Sequence, residues 1–276
     1  MRTYIENYKD FGKLLFVENG DVKLGIPLNF GLRISYLSYK GSDNLFFEHP
    51  EEVKYLTTPQ GWRIYGGHRL WIAPESDDCY YPDNAPISYE ICENKIILTQ
   101  TTDPWLKVNK VFEIYFEGNN VVKINHKVTN VDSITKTFAP WSITSMAYGG
   151  VQYIPLKDPS CTFQPKYRLS MWHYTNLGDE RIEYLKDGLK LTHKEGNGNF
   201  KIGVGHPHNY ISYTNKGVVF EKVMDNILDL PYPDGDVSYE TYMCDHMVEL
   251  ETLSPLYEVK PNQTVSHTET WRLTKK

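Results

Sequence analysis

The chain of 276 residues has almost no helical periodicity, no Lys/Arg-rich block and only four cysteines. Each shortage excludes something. No apolar run approaches the roughly 18 residues that a membrane-crossing helix needs, so no membrane partner is expected. The opening segment MRTYIENYKDFG is polar and lacks the apolar stretch of a signal peptide. Formal net charge is −6, which together with the missing basic block argues against a nucleic-acid partner. No pair among Cys79, Cys92, Cys161 and Cys244 has metal-ligand or redox spacing, so they read as reduced thiols of a cytoplasmic protein. There is no GxSxG, P-loop, dinucleotide fingerprint or HExxH, and hence no cofactor or metal is expected. Linkers, low-complexity tracts and repeats are also missing, which favours one domain over residues 1–276.

Period-two alternation is abundant, punctuated by 19 Gly and 16 Pro. LKVNKVFEIYF (106–116) puts Leu106, Val108, Phe112, Ile114 and Phe116 on one face, and VVKINHKVTN (121–130) does the same with Val122, Ile124 and Val128. Similar runs lie near 12–18, 21–26, 31–38, 87–100, 136–147, 188–193, 199–204, 209–214, 217–224, 236–243, 247–253 and 264–273. Over a dozen such segments argue for an all-β sandwich or barrel. Residues 48–86, rich in Pro, Gly, Asp and Tyr, read as an excursion over one face. The 21 Tyr and 6 Trp suit an aromatic β core and a sugar-stacking cleft alike.

Inside that excursion lies YGGHRLWIAPE (65–75). Gly66 and Gly67 allow conformations or close approaches that other residues resist, and Pro74 bars a continuing central strand. The segment therefore reads as short and sharply shaped, carrying His68, Arg69, Trp71 and Glu75. Arg69 offers a planar fork of donors for hydroxyls or a carboxylate, and His68 can move a proton near neutral pH. An Arg–Glu pair pinning a loop is the plainer alternative. In MVELETLSP (247–255), Met247, Glu249, Glu251 and Leu253 share a strand face. Either both glutamates lie in water, or their closeness and desolvation raise one pKa and make a base. His267, Glu269 and Trp271 share a parity that suits a structural last strand. His126 on an apolar face reads as a satisfied core residue, and Lys110 either snorkels or reaches a cleft. His206 and His208, in a turn of GVGHPHNY, are free to face a ligand, but no Cys or carboxylate beside them makes a metal site.

The two anchors GGHRLW and LET, in this order, resemble the galactose mutarotase-like superfamily, the aldose 1-epimerases, and within it a bacterial group with a GGHRLW-type motif. The resemblance spans nearly the whole chain. GGHRLW looks like the counterpart of a glycine-led GRxANR motif whose last arginine binds sugar hydroxyls. Arg69 thereby inherits that role, and His68 stands where the asparagine would be. Leu250-Glu251-Thr252 matches the triplet that carries the family's catalytic glutamate, with Pro261-Asn262-Gln263 at the place of the following turn. The family's mid-chain histidine has no counterpart. APWSITSM (139–146) holds Trp141 at or near that slot, and the second binding histidine is missing too.

The resemblance implies a large twisted antiparallel β-sandwich, a supersandwich, with a monosaccharide or derivative in an open cleft on one sheet. It makes Glu251 a base for ring opening and His68 a relocated acid. Arg69, Trp71, Glu75, Trp141 and His206 become substrate-binding residues, Trp141 by offering an apolar face to the sugar ring. A non-catalytic sugar binder of the same fold is the alternative.

Overall fold

The computed structural model describes all residues except 50–57, 159–161, 164, 167, 226 and 228. Part of the expected excursion and Cys161 lie outside the described residues. Extended chain dominates; the described helical elements are two 3-10 turns (Lys9–Phe11, Asp77–Tyr80) and a four-residue turn (Pro233–Asp236). No described helix is long and apolar enough to cross a membrane.

Three antiparallel sheets form. The largest runs Ile182–Tyr184, Gly188–Thr192, Val151–Pro155, Tyr210–Asn215, Val218–Met224, Thr264–Lys275, Val121–Asn130, Val108–Phe116, Lys95–Thr99 and Ser88–Ile91. The second runs Leu169–Met171, Phe200–Val204, Tyr239–Cys244, Met247–Leu253, Lys136–Ala147, Gly67–Ala73 and Arg33–Ile34, with Tyr257–Val259 beside the Lys136 end. A four-stranded sheet holds Arg2–Asn7, Lys13–Asn19, Val22–Pro27 and Tyr36–Tyr39.

Alternation explains how the two large sheets stack. Phe112, Ile114, Val122, Ile124 and Trp271 of the first and Leu70, Ile72, Val248 and Leu250 of the second belong to one buried apolar cluster. Burying such side chains contributes about 1.5–3 kcal/mol each. The opposite face of the second sheet carries a separate cluster that includes Trp62, Trp71, Trp141, Ile143 and Met247.

GGHRLWIA departs from its expected role as a shaped loop. Gly67–Ala73 is a fully buried strand paired on both sides, with Lys136–Ala147 and with Arg33–Ile34. Pro74 falls just after its last residue, so the missing N–H breaks no ladder. The glycines serve close approach. A Cβ on Gly66 would lie 2.0 Å from the Phe47 carbonyl oxygen, and one on Gly67 2.2 Å from that of Ile34; both have positive φ.

Candidate functional site

Strand register assembles a cleft on the outer face of the second sheet. Trp141 lies opposite Trp71 and Ile143 opposite Arg69. On the other side, Ile143 faces Glu251 and Ser145 faces Glu249. One strand further, Glu251 faces Glu240 and Glu249 faces Tyr242. Tyr242 in turn faces Lys201. Directly opposed residues share a face, so side chains from five strands converge. All of these but Ser145 and Glu240, together with Trp62, Glu75, Tyr80, Trp172 and Tyr174, line a cleft of about 430 Å³.

Two ion-pair systems lie in it. Arg69 Nη1 donates to Glu249 Oε1 at 2.8 Å and to Ser145 Oγ at 3.2 Å. Its guanidinium stands 4.6 Å from the Trp71 ring centroid. Lys201 Nζ lies 2.8 Å from Glu240 Oε2 and 3.3 Å from Glu251 Oε2. The same ammonium sits 4.6 Å from the Trp141 centroid and 4.5 Å from that of Trp172. Trp141 Nε1 donates to Glu251 Oε2 at 3.0 Å, while Glu251 Oε1 is buried with no hydrogen-bond partner.

One cation among these carboxylates sets their protonation. Desolvation raises the pKa of Glu251; Lys201 opposes the rise and Glu249 adds to it. Burial also raises Glu240 well above the usual carboxylate range, against the pull of Lys201. Burial alone would lower Lys201, but Glu251 and Glu240 outweigh it and hold the ammonium charged. The arrangement favours one proton on the two carboxylates that share Lys201.

The sequence-derived residues divide sharply. Arg69, Trp71, Glu75, Trp141 and Glu251 all line the cleft. Glu249 and Glu251 are 6% and 1% exposed, so neither lies on a wet face. Arg69 pairs with Glu249, not with the Glu75 of its own loop; Glu75 instead accepts from Tyr80. Trp141 is only 3% exposed, with Lys201 over its ring, and forms part of the cleft floor. The more open rings are Trp172, Tyr80 and Tyr174.

His68 does not line the cleft, which corrects its expected place as a relocated acid. Adjacent strand residues point to opposite faces, so Arg69 in the cleft forces His68 into the space between the sheets. There its Nδ1 lies 2.8 Å from Thr144 Oγ1 and its Nε2 2.8 Å from His126 Nε2. His126 Nδ1 donates to the His267 carbonyl oxygen at 2.8 Å. That fixes a tautomer chain: His68 Nε2–H donates to His126, and the Thr144 hydroxyl donates to His68. Desolvation holds all three histidines low, His126 to about 4 and His267 to about 3.

His206 also lies away from the cleft lining. It is edge-on to Tyr232 at 5.2 Å, with Nε2 3.8 Å from Asp236 Oδ2. Lys110 reaches no cleft; it is buried 3.4 Å from Asp103.

His68, His126 and Glu269 converge within 4.8 Å, but the cationic place is taken. Lys222 Nζ lies 2.8 Å from Glu269 Oε1 and donates to the Leu250 carbonyl at 2.9 Å. Burial would raise the Glu269 carboxyl, but Lys222 and the three histidines more than offset this and keep it ionised. The expected structural role of the last strand thus becomes specific: Glu269 also accepts from Trp271 Nε1 at 2.9 Å.

Sequence reasoning missed Lys201, Glu240, Trp172, Trp62 and Tyr80. The one available signal was a charge inside an apolar strand, Lys201 in FKIGV. Its partners lie 39 or more residues away, and only sheet order brings them near (240 − 201).

No family model and no curated protein matches the chain. Solved structures do. A proposed aldose 1-epimerase from Escherichia coli K12 is 9% identical with a TM-score of 0.62, covering 100% of both chains. A galactose mutarotase-like protein from Lactobacillus casei is 10% identical with a TM-score of 0.61, over 95% of this chain and 100% of its own. Another from Clostridium acetobutylicum is 11% identical with a TM-score of 0.57, over 100% and 99%. At such identities the likeness is one of architecture: the chain has the β-sandwich fold of galactose mutarotase-like proteins.

Proposed function

We propose that the protein binds a monosaccharide or derivative in this cleft and opens its ring with Glu251 as the base. The supporting observation is the convergence of two buried ion pairs, Arg69–Glu249 and Lys201–Glu251, beside Trp172, Tyr80 and Tyr174. Aromatic rings receive the apolar face of a pyranose, and fixed charged donors and acceptors order its hydroxyls.

In the proposed step Glu251 Oε1 takes the proton of the anomeric hydroxyl. The C1–ring oxygen bond breaks as the C1 carbonyl forms. A proton passes from Lys201 to the ring oxygen, rotation about C1–C2 follows, and closure returns both protons. The raised pKa of Glu251 suits a base near neutral pH. Arg69, held by Glu249, supplies hydroxyl-binding donors.

A second reading, sugar binding without turnover, has its own support. No described cleft-lining residue is a histidine, and Lys201 holds its proton firmly. Saturation-transfer NMR on several aldoses, beside titration calorimetry, separates the two. Faster anomer exchange supports catalysis; binding with unchanged exchange supports the binder; neither on any sugar refutes both. A cytoplasmic location, read from the cysteine spacing, belongs to this proposal.

A further inference from the structure

The polar atoms left unpaired in the cleft divide by type. On one side of Ile143 stands Arg69, whose Nη1 is taken by Glu249 and Ser145 while its Nε is buried with no hydrogen-bond partner. Nη2, on the same edge as Nε, makes no hydrogen bond among the described residues. Trp62, its ring centroid 5.9 Å from the Arg69 guanidinium, also has its Nε1 buried without a partner. Both residues line the cleft and are more than nine-tenths buried. On the other side of Ile143 stands Glu251, with Oε1 unpaired. Free donors thus collect at one end and a free acceptor at the other.

The donor end extends to the next strand. Arg33 is paired directly opposite Arg69, so the two side chains share a face. Arg33 is fully buried; its Nη2 donates to both oxygens of Asp83 at 2.8 Å, while Nε and Nη1 have no partner. Like charges directly opposite repel, and one carboxylate apiece leaves each guanidinium with unmatched N–H groups. An anionic acceptor at Arg69 offsets that repulsion and pairs buried donors that are costly to leave unpaired. The Nε edge of a guanidinium presents two parallel N–H bonds, which match the two oxygens of a carboxylate. Glu75 lines the same cleft but is exposed, so water and salt screen its charge. A phosphate would bring a second negative charge, for which Lys201 is not free: it is committed to Glu240 and Glu251.

We infer that the ligand is a uronate-type sugar acid, its carboxylate on the Nε edge of Arg69 and accepting from Trp62 Nε1, its anomeric hydroxyl towards Glu251. To reach Nε the carboxylate enters beside Trp62, whose indole it engages. The inference rests on the sugar-binding reading above and narrows its substrate class. A neutral hexose would place a single hydroxyl where the carboxylate lies.

Titration calorimetry at neutral pH tests it on matched ligands: glucuronate and galacturonate, their parent hexoses, glucuronamide and glucose 6-phosphate. A uronate is expected to bind at least about tenfold tighter than its parent hexose and than the amide, which keeps the shape without the charge; the phosphate should bind more weakly than the uronates. In Trp62→Phe that preference should shrink to about threefold or less. The variant keeps an aromatic ring against Trp71 and Tyr80 and removes the N–H. Hexoses or the amide binding as tightly as the uronates, a tighter phosphate, or a preference that survives Trp62→Phe would each overturn the inference while leaving the sugar cleft standing. Binding of no sugar of any charge would overturn it together with the proposed function.

Discussion

Trp141 Nε1 donates a hydrogen bond of 3.0 Å to Glu251 Oε2, and this bond joins residues 110 positions apart in the chain. It fixes one carboxylate oxygen and leaves the other, Oε1, without a partner at the cleft floor. In the proposed reaction that second oxygen is the one that accepts from the ligand hydroxyl, which must reach it where it is buried.

Glu251→Gln should abolish ring opening while sugar affinity stays within about tenfold, roughly 1.4 kcal/mol. The amide keeps the shape and still accepts from Trp141, but it cannot take a proton at neutral pH. Anomer-exchange rates beside calorimetric Kd values check this. Full activity in the variant would remove Glu251 from the chemistry and make Glu249 the next residue to substitute.

Lys201→Met should destabilise the fold by about 3–5 kcal/mol, because it strands Glu240 and Glu251 as buried carboxylates without a cation. The loss should grow with pH. Both carboxylates have raised pKa values in the native state, so their burial is tolerated while protonated and penalised as pH rises above the unfolded value of about 4.5. Denaturant melts of wild type and variant between pH 5 and 8 would show the gap widening. A constant gap would contradict the shared-proton arrangement.

His68→Gln should lower stability by about 1–3 kcal/mol through the lost His126 and Thr144 contacts, yet leave sugar affinity within about twofold. A large loss of affinity at unchanged Tm would put His68 back at the ligand, against its position between the sheets.

The histidine core predicts acid sensitivity. His126 has an ordinary value of 6.5 when unfolded and about 4 in the fold, and His267 falls to about 3. Lowered histidine pKa values mean the unfolded chain takes up protons first as pH drops. Stability is therefore full above about pH 6.5 and falls towards pH 4, by up to ~1.4 kcal/mol per pH unit for each such histidine. Replacing His126 with Asn should flatten that slope, as Tm against pH would reveal.

The sequence by itself determined the all-β architecture, because alternation at period two states which side of each strand is apolar without reference to any partner. It also placed Glu249 and Glu251 on one face, since two-residue spacing in a strand guarantees it. The same rule should have separated His68 from Arg69. GGHRLW lost that information when its glycines and Pro74 made it read as a loop, although the glycines serve close approach to Phe47 and Ile34. Motif resemblance brought Arg69, Trp141 and Glu251 together, but it could not see Lys201 or Glu240. Only the tertiary structure decided those, through strand order: Phe200–Val204, Tyr239–Cys244 and Met247–Leu253 lie side by side. A lysine finds its carboxylates across hydrogen-bonded neighbours, and no local pattern in a single strand encodes which strand its neighbour will be.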